Sequence, residues 1–286
     1  MARQDGPGSR RKRGSTPSKP PCQNNFSGRP NSAPGDRVLD IGCGAGTTTL
    51  EIARRIGAAG HAIGLDISEQ LLAVARERAA NDARIAFVHG DATVHPFEPA
   101  ASDWLLSRNG VMFFADPVAS FTNMRQGLRP GGRLAFGCWR AAKLNEWITV
   151  PLEAARKALP PGLPPPPADP EAPGPYSFSD ESRVARILAG AGFLDIEVRP
   201  IDVELDAAAD GGLEGAAEFL QLVGPTSRFM AHHGEAVRAV ARDNIRAALA
   251  PYARNGTVLL GGAIWIVTAG NPSAPDVGSA TTSVLG

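Results

Sequence analysis

From Asp36 onward the chain alternates between two rhythms. Short apolar runs bounded by Gly, Asp or Pro give way to segments whose apolar residues recur at helical spacing. The runs predict strands near 37–42, 61–66, 84–89, 103–108 and 132–138, and the periodic segments predict helices over about 47–57, 69–80 and 117–128. The turn Arg129-Pro130-Gly131-Gly132 is expected to stop the third helix before the fifth strand. Farther on, a short helix at about 180–190 precedes a sixth strand over 193–198, and Gly262–Thr268 reads as a seventh. Between these two strands lie two helices, about 212–222 and 230–253, more than a plain connection needs, and they suggest a small helical cap. Strands alternating with helices predict an α/β fold, a seven-stranded, mostly parallel sheet with helices on both faces.

The flanks lack either rhythm. Residues 1–35, rich in Gly, Pro, Ser, Asn and Arg, are expected to form a disordered basic tail, and 272–286 a second, polar one. This leaves one domain over 36–271, with cap elements at about 140–178 and 207–255. Residues 160–175 are proline-rich and are expected to be a loop over the sheet edge or the pocket.

Charge and cysteine content narrow the classes. The chain has 29 basic and 29 acidic residues, yet residues 1–36 carry seven Lys or Arg against two Asp or Glu, so the tail is +5 and the remainder −5. Arg10-Arg11-Lys12-Arg13 has two readings, a patch for RNA or targeting and a solvated tail; the overall balance gives no reason to expect a nucleic-acid partner. Cys22, Cys43 and Cys138 form no C-x-x-C pair, so neither a zinc site nor a disulfide framework is indicated, and a reducing cytoplasm is the simplest location. No apolar run approaches the roughly 18 residues of a membrane span.

The chemistry is concentrated at the ends of the first strands. Val38-Leu39-Asp40-Ile41-Gly42-Cys43-Gly44-Ala45-Gly46-Thr47 joins an apolar strand to a helix through glycines at alternate positions. Such glycines let the backbone turn sharply and come close to a ligand, with helix amides facing the same pocket. The dinucleotide pattern G-x-G-x-x-G would need a glycine where Thr47 stands, so a different nucleotide cofactor is indicated. Asp66 ends the next strand 20 residues after Gly46, the spacing at which a carboxylate meets a ribose diol. The third strand runs into a further acid, Asp91.

The ordered series VLDIGCGAGTTTLEIA, GLDIS, FVHGDA, DWLLSRNGVMFF and LRPGGRLAFGCW resembles the class I S-adenosylmethionine-dependent methyltransferases over about residues 36–140. Within them it is most similar to bacterial small-molecule enzymes such as the quinone-biosynthesis methyltransferases. The resemblance implies a Rossmann-like fold, S-adenosyl-L-methionine as cofactor and methyl transfer to a small-molecule acceptor by in-line displacement; the alternatives are an RNA or protein methyltransferase and a non-catalytic binder of the cofactor that lacks the N-terminal lid. It also implies that Asp40 with Gly42, Cys43, Gly44 and Gly46 holds the methionine end, Asp66 followed by Ile67 the ribose, and Asp91 with Ala92 the adenine. Relatives of this kind begin with helices over the pocket, whereas this chain reaches its first strand directly from the tail, so a site without that lid is expected.

The acceptor, expected to be a small molecule, should enter at the carboxyl ends of the strands, which places Ser107, Arg108, Asn109, Met112 and Phe113 near the methyl group, with Ser107 counted among the cofactor-binding residues and Arg108, Asn109 and Met112 among the substrate-binding ones. Asn109 occupies a position that is usually aromatic in the subfamily. Met112 is a pocket-wall or core residue, and Arg108 either meets an acidic substrate group or pairs with Asp103 or Asp116. Cys43 reads as a small packing residue, and Tyr176 could orient an acceptor through its hydroxyl. His89 and His95 read as structural or rim residues, and His232 and His233 as a solvated helix face. No general base and no metal site is legible.

Overall fold

The computed structural model describes residues 32–159, 171–208 and 211–273. The tails expected over 1–35 and 272–286 lie almost wholly outside these residues, as does most of the proline-rich loop.

The nucleotide half follows the expected alternation. β1 (Arg37–Ile41), α1 (Thr47–Arg55), β2 (His61–Asp66), α2 (Glu69–Ala79), β3 (Ile85–His89), β4 (Ser102–Arg108), α3 (Pro117–Gln126) and β5 (Leu128–Trp139) succeed one another. Strands β3, β2, β1, β4 and β5 lie side by side in that order, all parallel. Caps fix the helix starts: Ser68 accepts a bond from the Leu71 amide at 3.4 Å, and Asp116 accepts one from the Ala119 amide at 3.0 Å, with Pro117 opening the helix. Because side chains alternate along a strand, Val38, Trp104, Leu106 and Ala135 pack under α1 with Ile52, Ala53 and Ile56. Leu39, Leu105, Leu134 and Phe136 face the other way, against Phe121 and Met124 of α3.

The second half departs from expectation in four places. β5 begins at Leu128, and the expected turn at 129–132 is a bulge inside the strand, with Gly131 at φ +71 and its amide bonded to the Asn271 carbonyl at 3.1 Å. Two strands are far longer than predicted, β6 (Leu194–Asp206) and β8 (Thr257–Gly270), which pair antiparallel with β8 inserted between β5 and β6. Alternating charges and Pro200 mask the outer strand β6, where a missing amide hydrogen is tolerated at a sheet edge. The Gly261-Gly262 pair interrupts the apolar run of β8; a side chain at 262 would sit 3.0 Å from Leu205 and Val203. A two-residue strand, β7 (Ala253–Arg254), pairs only with β8.

The helices differ as well. α4 (Glu146–Arg156) was hidden by Pro151 within it, whereas α5 (Glu181–Gly190) and α6 (Gly212–Leu222) lie where predicted. The long helix expected over 230–253 is two, α7 (Gly224–Ala231) and α8 (Glu235–Leu249), parted by His232, His233 and Gly234. Helices α4, α6, α7 and α8 share a separate core of Ala154, Ala217, Leu220, Met230, Ile245 and Leu249, closed by Val258 and Leu260 of β8.

Candidate functional site

β1, β2 and β4 end together, and the glycine turn crosses their carboxyl edge. Gly42, Gly44 and Gly46 all have positive φ, +68, +54 and +76, but each has its own reason to lack a side chain. A Cβ on Gly42 would lie 2.7 Å from Gly110 Cα, and one on Gly46 would lie 2.8 Å from the Phe87 ring. These two glycines let the turn pack against the loop after β4 and let α1 approach β3. At Gly44 the nearest atom would be Leu71 Cδ1 at 3.9 Å, so this glycine leaves open backbone. Cys43 is a packing residue: its buried thiol fills the notch at Gly64, where a Cβ would be 2.8 Å from Sγ, and burial pushes the thiol pKa up.

Asp66 braces the turn. Its Oδ2 accepts the Gly44 amide and its Oδ1 the Ser68 amide, both at 2.8 Å. A carboxylate has about four acceptor sites, so two remain for a ligand. Ile67, next in the chain, is 70 % exposed, and its carbonyl meets His89 Nε2 at 3.0 Å. Asp91 is exposed and orders its own loop by accepting the Thr93 amide at 2.9 Å, while Ala92 is buried and its carbonyl is held by Asn123 at 3.1 Å.

Asp40 lies beneath the turn, fully buried. The Thr49 hydroxyl donates to Oδ2 at 2.6 Å, but Oδ1 has no partner. Burial raises the carboxyl pKa to about 6, against the lowering effects of Thr49 and the nearby Arg108 charge. Arg108 makes no ion pair among the described residues. The pairing once open to it is excluded, because Asp103 binds Arg129 at 2.6 Å and Asp116 caps α3.

The loop after β4 closes the edge. Ser107 donates to the Ile41 carbonyl at 2.7 Å and accepts the Gly110 amide at 3.2 Å, so it ties the loop to β1. Asn109 has φ +59, a left-handed conformation that Asn tolerates far better than an aromatic residue would. Met112 is core, and its carbonyl anchors the segment from 171 by accepting Ser177 Oγ at 2.6 Å and the Gly174 amide at 3.0 Å. That segment carries Tyr176, whose hydroxyl is buried without a partner and whose pKa burial pushes up to about 12.

Four positions escaped the sequence reading. Gly110 is as constrained as Gly42, since its Cβ would meet the Ile41 carbonyl at 2.6 Å; its place beside an αL Asn was the available signal. Trp139 and Trp147 pack at 4.9 Å between ring centres, and Arg228 acts electrostatically on Tyr176. Nothing in the local sequence marks these three, because they meet only through tertiary packing.

Comparison with known proteins agrees with this geometry. Residues 38–132 match the family described as a methyltransferase domain. The chain is 34% identical over 98 residues to demethylmenaquinone methyltransferase of Staphylococcus aureus, covering 34% of this chain and 41% of that one. A 37.1 kDa protein of a Streptomyces fradiae transposon is 34% identical over 107 residues, 37% of this chain and 31% of that one. The chain thus spans about a third to two-fifths of these relatives' length. Among solved structures, the YcgJ protein of Bacillus has a TM-score of 0.54 at 17% identity, covering 85% of this chain and 95% of that one. Phosphoethanolamine N-methyltransferase 2 of Haemonchus contortus, solved with S-adenosyl-L-methionine, has 0.50 at 21%, covering 84% and 50%. The fold is therefore Rossmann-like, and residues 38–132 are similar to a methyltransferase domain.

Proposed function

We propose that the chain binds S-adenosyl-L-methionine at the glycine turn and transfers its methyl group to a small-molecule acceptor. The observation that carries this reading is the buried, unpartnered Oδ1 of Asp40 beneath a turn whose central glycine leaves its backbone open. Such an acceptor atom suits an ammonium group, and the remaining acceptor sites of Asp66 suit a diol. Asp91, Ala92 and the exposed Ile67 offer the acid, backbone and apolar surface that an adenine needs. The residues present therefore fit the cofactor.

Bound there, S-adenosylmethionine supplies a sulfonium methyl that an acceptor lone pair takes by in-line displacement, the C–S electron pair staying on sulfur. The residues of the chain align and enclose. Asp40 holds the cofactor's methionine end and Asp66 its ribose, and Gly42 and Gly110 lock the turn to the β4 loop. Alignment of this kind contributes roughly 7–11 kcal/mol to catalysis without a covalent nucleophile. The relatives' name, a quinone-precursor methyltransferase, supports a small acceptor. The family match ends at residue 132, so the acceptor is argued from this chain's own cap.

Arg108 carries the test, because it stands beside Asp40 without an ion pair and faces the acceptor side. Arg108→Ala should leave S-adenosylhomocysteine affinity within about threefold while greatly reducing methyl transfer to acceptors found by screening. Equal loss of cofactor affinity would make Arg108 part of the cofactor cradle instead.

A further inference from the structure

The seam between the strand ends and helices α4 and α7 contains polar groups that the protein leaves unsatisfied. Tyr176 Oη and Trp147 Nε1 are both buried, and neither has a hydrogen-bond partner among the described residues. Buried polar groups are nearly always paired, so two orphans in one place call for an explanation. Both side chains pack against the main core, and Trp147 also packs against the cap core.

Helix α7 is the element that relates both groups. Trp147 rests on Trp139 at the end of β5, and its Cζ3, on the ring edge away from Nε1, lies 3.9 Å from where a Cβ on Gly224, the first residue of α7, would sit. Arg228 is one helical turn beyond Gly224, on the same face of α7. It has no ion-pair partner among the described residues, and its charge acts on the Tyr176 phenol. Tyr176 is in turn tied down beside the β4 loop, because Gly174 and Ser177 both bond the Met112 carbonyl. Strand alternation extends the site towards the cofactor turn: Asp40, Arg108, Gly137 and Trp139 share one face of the sheet, with Arg108 opposite Gly137.

Among the described residues of the seam, Trp147 Nε1 can only donate, Arg228 is a cation without an ion pair, and the Tyr176 hydroxyl can donate or accept. Nearby carboxylates are engaged elsewhere: Glu146, next to Trp147, accepts the Gly261 amide at 2.8 Å, and Asp116 caps α3. We propose that this seam binds the anionic end of the methyl acceptor, a carboxylate or phosphate on a planar apolar body. Tyr176 Oη, Trp147 Nε1 and Arg228 are its donors, and the Trp139–Trp147 pair is the wall against which the ring lies. The identity of the ligand as the acceptor rests on the methyl-transfer reading; the anion subsite itself does not.

Calorimetric titration of the full chain with benzoate, phenyl phosphate and neutral benzamide, each with and without S-adenosylhomocysteine, tests the subsite. At least one anion should bind about tenfold or more tightly than benzamide, and Tyr176→Phe and Arg228→Gln should each erase that preference. The favoured arm distinguishes carboxylate from phosphate. Tyr176→Phe deletes only an unpartnered hydroxyl, so its thermal midpoint should equal or exceed that of the parent, which separates loss of binding from loss of fold. S-adenosylhomocysteine affinity should be the same in both variants. Equal affinity for anion and amide, no binding of either anion at millimolar concentration, or an unchanged preference in the variants would overturn the proposal. Anion binding without S-adenosylhomocysteine binding would keep the subsite and overturn the methyl-transfer reading.

Discussion

The two sides of the strand edge are unsatisfied in opposite senses. Among the described residues the buried orphan of the cradle is an acceptor, Asp40 Oδ1, whereas farther along Trp147 Nε1 and Arg140 Nε are donors, the Tyr176 hydroxyl can donate or accept, and Arg228 has no ion pair. A protein that had only to be stable would pair or remove such groups, since leaving one buried and unsatisfied costs about 1–3 kcal/mol. The polarity tells what each side lacks. The orphan of the cradle calls for a cation or donor, as the ammonium end of an amino-acid cofactor would supply, and the indole of Trp147 calls for an acceptor, which the proposed anion would supply. Arg108, at the end of β4, tempers the charge of Asp40.

The backbone of the cradle is the point where the contrast breaks most completely. Gly42→Ala places a Cβ 2.7 Å from the Gly110 backbone at a φ of +68, and the clash and left-handed strain together should cost about 3 kcal/mol or more. Chemical denaturation should show that loss, with no remaining cofactor binding, while anion binding in the seam persists in whatever fraction stays folded. Asp66→Ala comes next. It removes the ribose contact and also frees the Gly44 and Ser68 amides that shape the turn. Cofactor affinity should fall about 100-fold or more, and an affinity within a few-fold of the parent would sink the ribose assignment.

A third effect is on stability alone and has a sign that identifies Asp40. Its folded pKa of about 6 lies above the ordinary value of 3.8 because burial disfavours the charged form. The group's contribution to stability is therefore fully present below about pH 4 and is lost as pH rises through about 6. At neutral pH Asp40→Asn should stabilise the free protein by up to about 3 kcal/mol. The gain should vanish near pH 4, as followed by denaturant unfolding across that range.

The same contrast explains which parts were legible from sequence. The cradle is written in consecutive residues: positive φ demands glycine at 42, 44 and 46, and a parallel strand must end in Asp66 for its carboxylate to reach the turn. Strands β1 to β4 and helices α1 to α3 were legible for the same local reason. The seam is assembled from Trp139, Trp147, Tyr176 and Arg228, on four segments that meet only through packing, and no spacing rule connects them. Pro151 hid α4, Pro200 and alternating charge hid half of β6, and the Gly261-Gly262 pair hid the first half of β8. In each case the residue that breaks the local pattern is tolerated by the tertiary position, an edge strand or a tight contact. Arg108 was left with two readings because pairing depends on where Asp103 and Asp116 point. The fold places both elsewhere.

The most direct measurement is a calorimetric titration of the full chain with S-adenosylmethionine at about pH 8 and about pH 5, beside the Asp40→Asn variant. An ionised Asp40 holding the cofactor's ammonium predicts micromolar binding at the higher pH, weaker binding at the lower, and a variant that binds poorly at both. No binding by the parent, or equal binding by the parent and the variant at both pH values, would contradict the assignment of this turn as the cofactor cradle.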